Sequence, residues 1–421
     1  MAETKKVAVI GFGTIGYGVV DLLYHRGIAG LELAKVVDLD ITTKRPVKIP
    51  PEYLSTDWKQ AVNDPEIDFI VELIGGIEPA KSILTEALRQ GKDVVTANKK
   101  LLAQDGESLF QLVSSLKRHI GFRASFVGGH SLIHELGLAG TAAKKFKRIY
   151  AILNGTSNYI LSTMSTEGKG FEEALGEAQK KGYAESDPSD DIDGKDTENK
   201  IRILLGLISN SYRSAGPFPV EGIRNIALQD IRYADELGYS IKLVGVIEQK
   251  NGVFDVAVHP ALVPSLSLLG SLQGAYNGTE MEDELGTVSG LVAPGAGTYP
   301  TADAVIKDLL DIAGGRTLPL PVSTEALTVG DASTVERRFY LRFSVVDQAG
   351  VLARITDIFW KYNISLSAVI QKESASNEFV PVVVTTYLAK EGDLQAAIEK
   401  IDELDVVKGR TKIIRILNAD T

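Results

Sequence analysis

The stretch KKVAVIGFGTIG, Lys5 to Gly16, decides the fold: a short apolar run followed at once by glycines spaced G-x-G-x-x-G. A strand covered on both faces in a parallel sheet reads as a continuous apolar run. Glycines directly after it let the backbone approach a pyrophosphate and open a helix whose first amides face the phosphates. Working outward, LELAKVVDLD (Leu31 to Asp40) supplies a second strand and completes a βαβ unit. Asp38 then stands roughly 20 residues beyond the glycines, where an acid accepts from adenosine ribose hydroxyls and repels a 2′-phosphate. Gly11, Phe12, Gly13, Thr14, Ile15, Gly16 and Asp38 are therefore the expected cofactor-binding residues, and NAD is favoured over NADP. Lys44 and Arg45 just downstream could fold back onto a 2′-phosphate, and are otherwise bystanders in a solvated loop.

Further strands at Phe69 to Ile74 and Asp93 to Thr96 alternate with helical patterns such as PAKSILTEALRQG, which opens on proline and stops at Gly91. Residues 1–135 thus read as a Rossmann-type doubly wound α/β domain. From about Lys147 the pattern changes to a strand, FKRIYAILNG, then helices over Asn158 to Thr166, Phe171 to Lys181 and Lys195 to Ser209. A hairpin follows, IKLVGVIEQKNGVFDVAVHP, with Asn251-Gly252 at its turn. Residues 136–330 are accordingly an α+β substrate and dimerisation domain. Residues 337–421 follow the polar stretch GDASTVER and give a strand-helix-strand-strand-helix-strand order, that of a ferredoxin-like plait.

At 421 residues, 44% apolar, with 40 glycines, the chain suits two or three globular α/β domains. MAETKK is followed only by the strand-like VAVI and then glycines, and no later apolar run reaches membrane-spanning length, so a cytoplasmic protein is expected, without membrane or metal-thiolate business. The absence of cysteine removes disulfides and cysteine nucleophiles together, favouring direct hydride transfer over a covalent thiol step. A net charge of −10 with no basic tract argues against nucleic acid.

The densest polar feature is GYAESDPSDDIDGKDTENK, Gly182 to Lys200, which feeds an apolar helix. Asp196 and Lys200 are four apart and share a helix face. A calcium loop fails on register, since Lys200 would take the place of the bidentate glutamate. With NGTSNYIL (Asn154 to Leu161), VELIGGIEPA (Val71 to Ala80), VVTANKKLLA (Val94 to Ala103) and PGAGTYPTADAV (Pro294 to Val305), this loop resembles the homoserine dehydrogenase family over essentially the whole chain. The last block, with Asp347, Gly350, Val351, Leu352 and Asn363 to Ser365, resembles an ACT regulatory domain.

The resemblance implies NAD(P)H-dependent reduction of L-aspartate 4-semialdehyde to L-homoserine, in threonine and methionine biosynthesis. It makes Lys200 the proton donor, with Lys99 contacting substrate or cofactor or sharing the proton. Glu185 and Asp196 would take the substrate ammonium. Thr156 and Asn158 suit a substrate carboxylate or, equally, helix capping. Thr96, Gly182, Gly295 and Gly297 join the cofactor site, and a helix near residues 301–315 returns to the first domain. Relatives that use NADP tend to carry an arginine beside the aspartate, where this chain has Leu39. An amino-acid effector, L-threonine first, is expected at Asp347, Gly350, Asn363 and Ile364, in a homodimer or homotetramer. Cutting before Arg337 would then spare basal activity and abolish inhibition.

The family's monovalent-cation site uses backbone carbonyls, here those of Arg123, Phe126, Gly128 and His130 in RASFVGGHS. Arg123 brings a positive charge that opposes a cation, so a weak or absent site is expected. Those departures also motivate a rival reading, a non-catalytic amino-acid or nucleotide sensor. A dehydrogenase of another small amino or hydroxy acid is the third, because fold does not fix substrate.

Overall fold

A computed structural model describes residues 4–126, 146–211, 216–250, 252–295, 297–317, 320–321, 327–372 and 379–417. Its backbone forms two compact units, Met1–Phe146 with Glu198–Ala215 and Glu282–Leu327, and Lys147–Thr197 with Gly216–Met281 and Thr328–Thr421.

In the first unit six strands, β1 (Lys5–Ile10), β2 (Leu31–Val37), β3 (Leu54–Ser55), β4 (Phe69–Glu72), β5 (Asp93–Thr96) and β6 (Ile120–Gly121), lie in the order β3-β2-β1-β4-β5-β6. Every pairing is parallel. Strand order reverses between β1 and β4, and an open sheet of this kind binds its ligand beyond the strand ends at that point. Helices α1 (Thr14–Val20), α2 (Trp58–Asn63), α3 (Ala80–Arg89) and α4 (Lys99–Ser115) connect the strands. Helix α3 buries Ile83, Leu84, Ala87 and Leu88 along one face and stops where Gly91 adopts φ +77°. Strand β4 was expected to reach Ile74 but ends at Glu72, whose carboxylate takes the next amides away from the ladder.

The second unit carries β7 (Phe146–Ile152), α5 (Gly155–Glu167), α6 (Phe171–Lys180) and α8 (Leu228–Glu236), while α7 (Lys195–Ser209) starts in it and from Glu198 onward is counted with the first. Helix α5 begins earlier than the apolar pattern suggested because Asn154 caps it, accepting from Ser157 N at 2.7 Å. The hairpin is β8 (Tyr239–Lys250) and β9 (Val253–Pro264), with Gly252 at φ +80°; Asn251 lies outside the described residues. Strand β10 (Tyr276–Asp283) comes next, and β11 (Val288–Pro294) is counted with the first unit. Helix α9 (Thr298–Ala313) belongs to the first unit, where Ala302, Val305 and Leu309 share a core with Val7 and Val19. Gly18 makes this possible, since a Cβ there would sit 2.7 Å from Thr298 Cγ2.

The C-terminal block is β12 (Glu336–Val346), α10 (Val351–Lys361), β13 (Leu366–Gln371), β14 (Phe379–Thr386), β15 (Ala389–Lys390), α11 (Glu391–Asp402) and β16 (Lys412–Ile416), the plait read from the sequence. It is not a separate bead. Strand β16 pairs in parallel with β9, Arg415 opposite Ala261 and Ile416 opposite Leu262, so one sheet runs β10-β7-β8-β9-β16-β12-β14-β13. Leu417 enters the apolar cluster of Tyr150, Val244, Ala261 and Val263. Ion pairs line the same seam: Arg337 with Asp255 and with Glu391 at 3.0 Å, Arg415 with Glu391, and Arg342 with Asp230 at 2.6 Å, all largely buried, and Arg415 with the half-exposed Glu221 at 3.2 Å. A cut before Arg337 would remove β16 from beside Ala261 and Leu262 and leave Asp230 and Asp255 without these arginines, losses that the expectation of spared basal activity did not include.

Candidate active site

Two of the three glycines of the first turn, Gly11 and Gly16, have a steric reason, whereas a Cβ on Gly13 would meet nothing. A Cβ on Gly11, at φ +106°, would lie 2.7 Å from the Leu73 carbonyl carbon, and one on Gly16 would collide with the Gly11 oxygen. The backbone is left bare over the start of α1, with Gly13 and Thr14 open to solvent, Phe12 buried and Ile15 half-buried. This cradle fits a pyrophosphate. Asp38 Oδ2 accepts from Phe12 N at 2.6 Å and Oδ1 from Asp40 N at 2.9 Å. Arg45 is no bystander: its Nε donates to Phe12 O at 2.7 Å, and its side chain is only 16% exposed. Acid and guanidinium thus hold the amide and the carbonyl of the same residue, Phe12, in two successive peptide groups, while Lys44 stays in solvent.

Beyond β4 and β5, Thr96 is fully buried and gives its hydroxyl hydrogen to Glu72 at 2.6 Å. Asn98 caps α4, accepting from Leu101 N at 3.0 Å, and so places Lys99 in the first turn at the strand ends. Gly297, at φ +150°, precedes α9, whose Thr298 Oγ1 lies 3.2 Å from Tyr17 Oη on α1. Gly295 is half-buried two residues earlier. Gly182, at φ +76°, ends α6 by donating to Gln179 O, an ordinary terminal turn.

In the second unit the first turn of α5 organises the acidic loop. Asn154 Nδ2 donates to Asp191 Oδ1 at 2.6 Å and to Asp196 Oδ2 at 2.9 Å, and Ser157 Oγ donates to Asp191 O at 2.8 Å. Thr156 Oγ1 donates to Tyr183 O at 2.6 Å, which fixes the start of the loop. Asp196 and Lys200 stand one turn apart on α7, both buried, at 3% and 6% exposure, whereas Glu185 is exposed. Asn158 is not presented as a carboxylate donor. Its amide donates to the carbonyls of Gly274 and Tyr276, at 3.0 and 3.1 Å, and accepts from Lys242 at 3.0 Å. Lys242 also donates to Leu272 O, and burial lowers its pKa to about 8.

Arg123 is buried between carboxylates, 3.2 Å from Asp308 and 2.9 Å from Asp311. Burial pushes Asp308 up to about 7 against the pull of Arg123. The arginine charge is therefore offset where the sequence suggested it would stand against a cation, and the Arg123 carbonyl already accepts from Phe126 N at 3.3 Å. Gly128 and His130 lie outside the described residues. In the plait, Gly350 opens α10 at φ +89° and Asp347 accepts from Gln371 at 3.3 Å. Asn363 takes φ +56°, and the Ile364 amide is not free for an effector, since it donates to Phe359 O at 2.9 Å.

Asn154, Asp191, Glu72 and Lys242 are not singled out from the sequence, and Arg45 only as a reach toward a 2′-phosphate or a bystander. Two had a visible signal: Asn154 opens NGTSN as a capping residue, and Lys242 interrupts an apolar strand.

Residues 11–123 match the family model described as homoserine dehydrogenase, NAD binding domain, residues 132–310 the homoserine dehydrogenase model, and residues 339–406 the ACT domain. A homoserine dehydrogenase of Synechocystis is 36% identical over 99% of this chain and all of its own length. The crystal structure of a homoserine dehydrogenase from Thiobacillus denitrificans superposes with a TM-score of 0.90 at 33% identity, covering 99% of this chain and 100% of that one. A hyperthermophilic archaeal homoserine dehydrogenase in complex with NADPH shares the fold, with a TM-score of 0.61 at 23% identity over 75% of this chain and 100% of that one.

Proposed function

This chain belongs to the homoserine dehydrogenase family, and from that premise we propose how its own residues divide the reaction. The activity is the nicotinamide-dependent interconversion of L-aspartate 4-semialdehyde and L-homoserine. When bound, the dinucleotide supplies or accepts the hydride. Lys200 Nζ gives a proton to the semialdehyde oxygen as it becomes a hydroxyl, and takes it back in the oxidation. Lys99, in the first turn of α4, contacts the substrate or shares that proton. Asp196 and Glu185 take the substrate ammonium, with Asn154 fixing the Asp196 carboxylate. Thr156 serves by holding the Tyr183 end of the loop.

The observation that carries this reading is the pair Asp196 and Lys200, two ionisable side chains buried one turn apart on α7. Such residues are rarely buried without a task. Lys200→Met should lower kcat by at least ~10² while melting temperature and NADH binding stay near wild type. Near-normal turnover in that variant would remove Lys200 from the mechanism.

For cofactor choice, Asp38 favours NAD, and Arg45 beside it gives a 2′-phosphate a cation, so NADP is accepted as well. The effector is an amino acid, L-threonine first, at the Asp347 to Gly350 turn and the Asn363 segment of paired plaits in a homodimer. Threonine titration of the full-length enzyme tests this, and indifference at millimolar concentration would leave the plait a structural element.

A further inference from the structure

No motif spacing singles out Glu72, yet it is the last residue of β4 at the β1/β4 switch point and has no exposed surface. Its strand neighbours Ile70 and Val71 are equally buried, and an apolar side chain would suit the sheet better. Among the described residues it has no cationic partner. Its three donors are neutral: Ile74 N at 2.9 Å and Gly75 N at 3.0 Å on Oε1, and Thr96 Oγ1 at 2.6 Å on Oε2.

We propose that Glu72 is a positioning residue for the dinucleotide, holding the Ile74 to Gly76 loop, which Thr96 and Asn98 tie to the start of α4. Gly75 and Gly76 take φ +74° and +73°, a bend that turns amides away from any strand partner. Glu72 collects two of the loop's amides. At the far end the Gly76 carbonyl accepts from Asn98 Nδ2 at 2.6 Å, and Asn98 N in turn donates to Thr96 Oγ1 at 3.0 Å. The ring of hydrogen bonds closes on the carboxylate. The same segment is the floor against which Gly11 packs, since a Cβ there would lie 2.7 Å from the Leu73 carbonyl carbon and 3.0 Å from Ile74 N. Moving the loop therefore moves the pyrophosphate turn, while the first turn of α4, which carries Lys99, stays capped by Asn98 through Leu101 N.

The inference rests on reading this crevice as the cofactor site. Its test uses the full-length enzyme, with Glu72→Ala, Glu72→Gln and Thr96→Val compared by NADH binding in fluorescence titration, by KM for each substrate and by thermal melting. Glu72→Ala should weaken NADH binding and raise the cofactor KM about tenfold, the scale of one or two lost buried hydrogen bonds, with homoserine KM within about twofold. Glu72→Gln keeps an oxygen for the Ile74 and Gly75 amides and should restore most of the loss. If Glu72→Ala does not fold, Thr96→Val, which removes one link of the ring, should still weaken NADH binding by about threefold. Variants that melt earlier but bind NADH as wild type does, or that shift both KM values together, would overturn the proposal. A wild type that binds NADH without oxidising homoserine would sink the family activity and leave the Glu72 binding test standing; one that binds no NADH would overturn both.

Discussion

At the seam between β9 and β16, Arg337, Arg342 and Arg415 face Asp255, Asp230, Glu391 and Glu221. In the crevice beyond β4, Glu72 faces two amides and a hydroxyl, and beneath α5 Lys242 faces an amide oxygen and a carbonyl. The seam answers each charge with an opposite one, so deleting a partner strands a desolvated ion. The crevice and the α5 core answer charge with neutral dipoles, so deleting the charge leaves groups that small shifts or water can satisfy. The first arrangement locks two stretches of chain together, and the second holds local backbone in place, in the proposed cofactor crevice and beneath α5.

The comparison can be broken most directly at Asp230, which has no exposed surface and accepts from Arg342 Nε, Arg342 Nη2 and Tyr340 Oη. Asp230→Ala should cost about 3 to 5 kcal/mol in urea unfolding, the usual result of orphaning a buried partner. A loss below about 1 kcal/mol would make the seam no different from exposed ion pairs. Lys242 probes the other side. Burial lowers its pKa from 10.5 to about 8. Between those values the unfolded chain binds more protons than the folded one, so wild-type stability should rise as pH climbs from about 8 toward 10.5. Lys242→Met should remove up to about 2 kcal/mol of that rise, read by unfolding at a series of pH values; identical pH profiles would place the charge in contact with water. The smallest effect is expected at Asp38, whose carboxylate meets two amides beside Arg45. Asp38→Ala should shift kcat/KM toward NADP by roughly tenfold, about 1.4 kcal/mol, and Arg45→Ala in the opposite direction. A wild type that already prefers NADP strongly would assign Arg45 the larger part.

The elements with strong local signals were legible to the residue. KKVAVI became β1, DVVT became β5, and the helix from Lys195 to Ser209 took its expected limits. Where a side chain redirects the backbone, as Glu72 does at Ile74 and Asn154 does at Gly155, apolar periodicity overran or started late. The plait's internal order could be read, but its fusion with β9 could not. Two parallel residue pairs, Ala261 with Arg415 and Leu262 with Ile416, join segments too far apart and too short to leave a periodic trace. For the site, the resemblance supplied Lys99, Asp196 and Lys200, while Asp191 and Glu72, which no local pattern marks, emerge only in three dimensions.

Helix α9 packs on α1, and β16 closes the edge of β9. On the ribosome this imposes a delay. The first unit cannot cover the α1 face until residues 298–313 have been made, and the Ala261–Leu262 end of β9 stays unpaired on one edge until residues 412–416 follow. Through much of its synthesis the nascent chain therefore presents an apolar helix face and an open strand, the features that invite aggregation and chaperone capture.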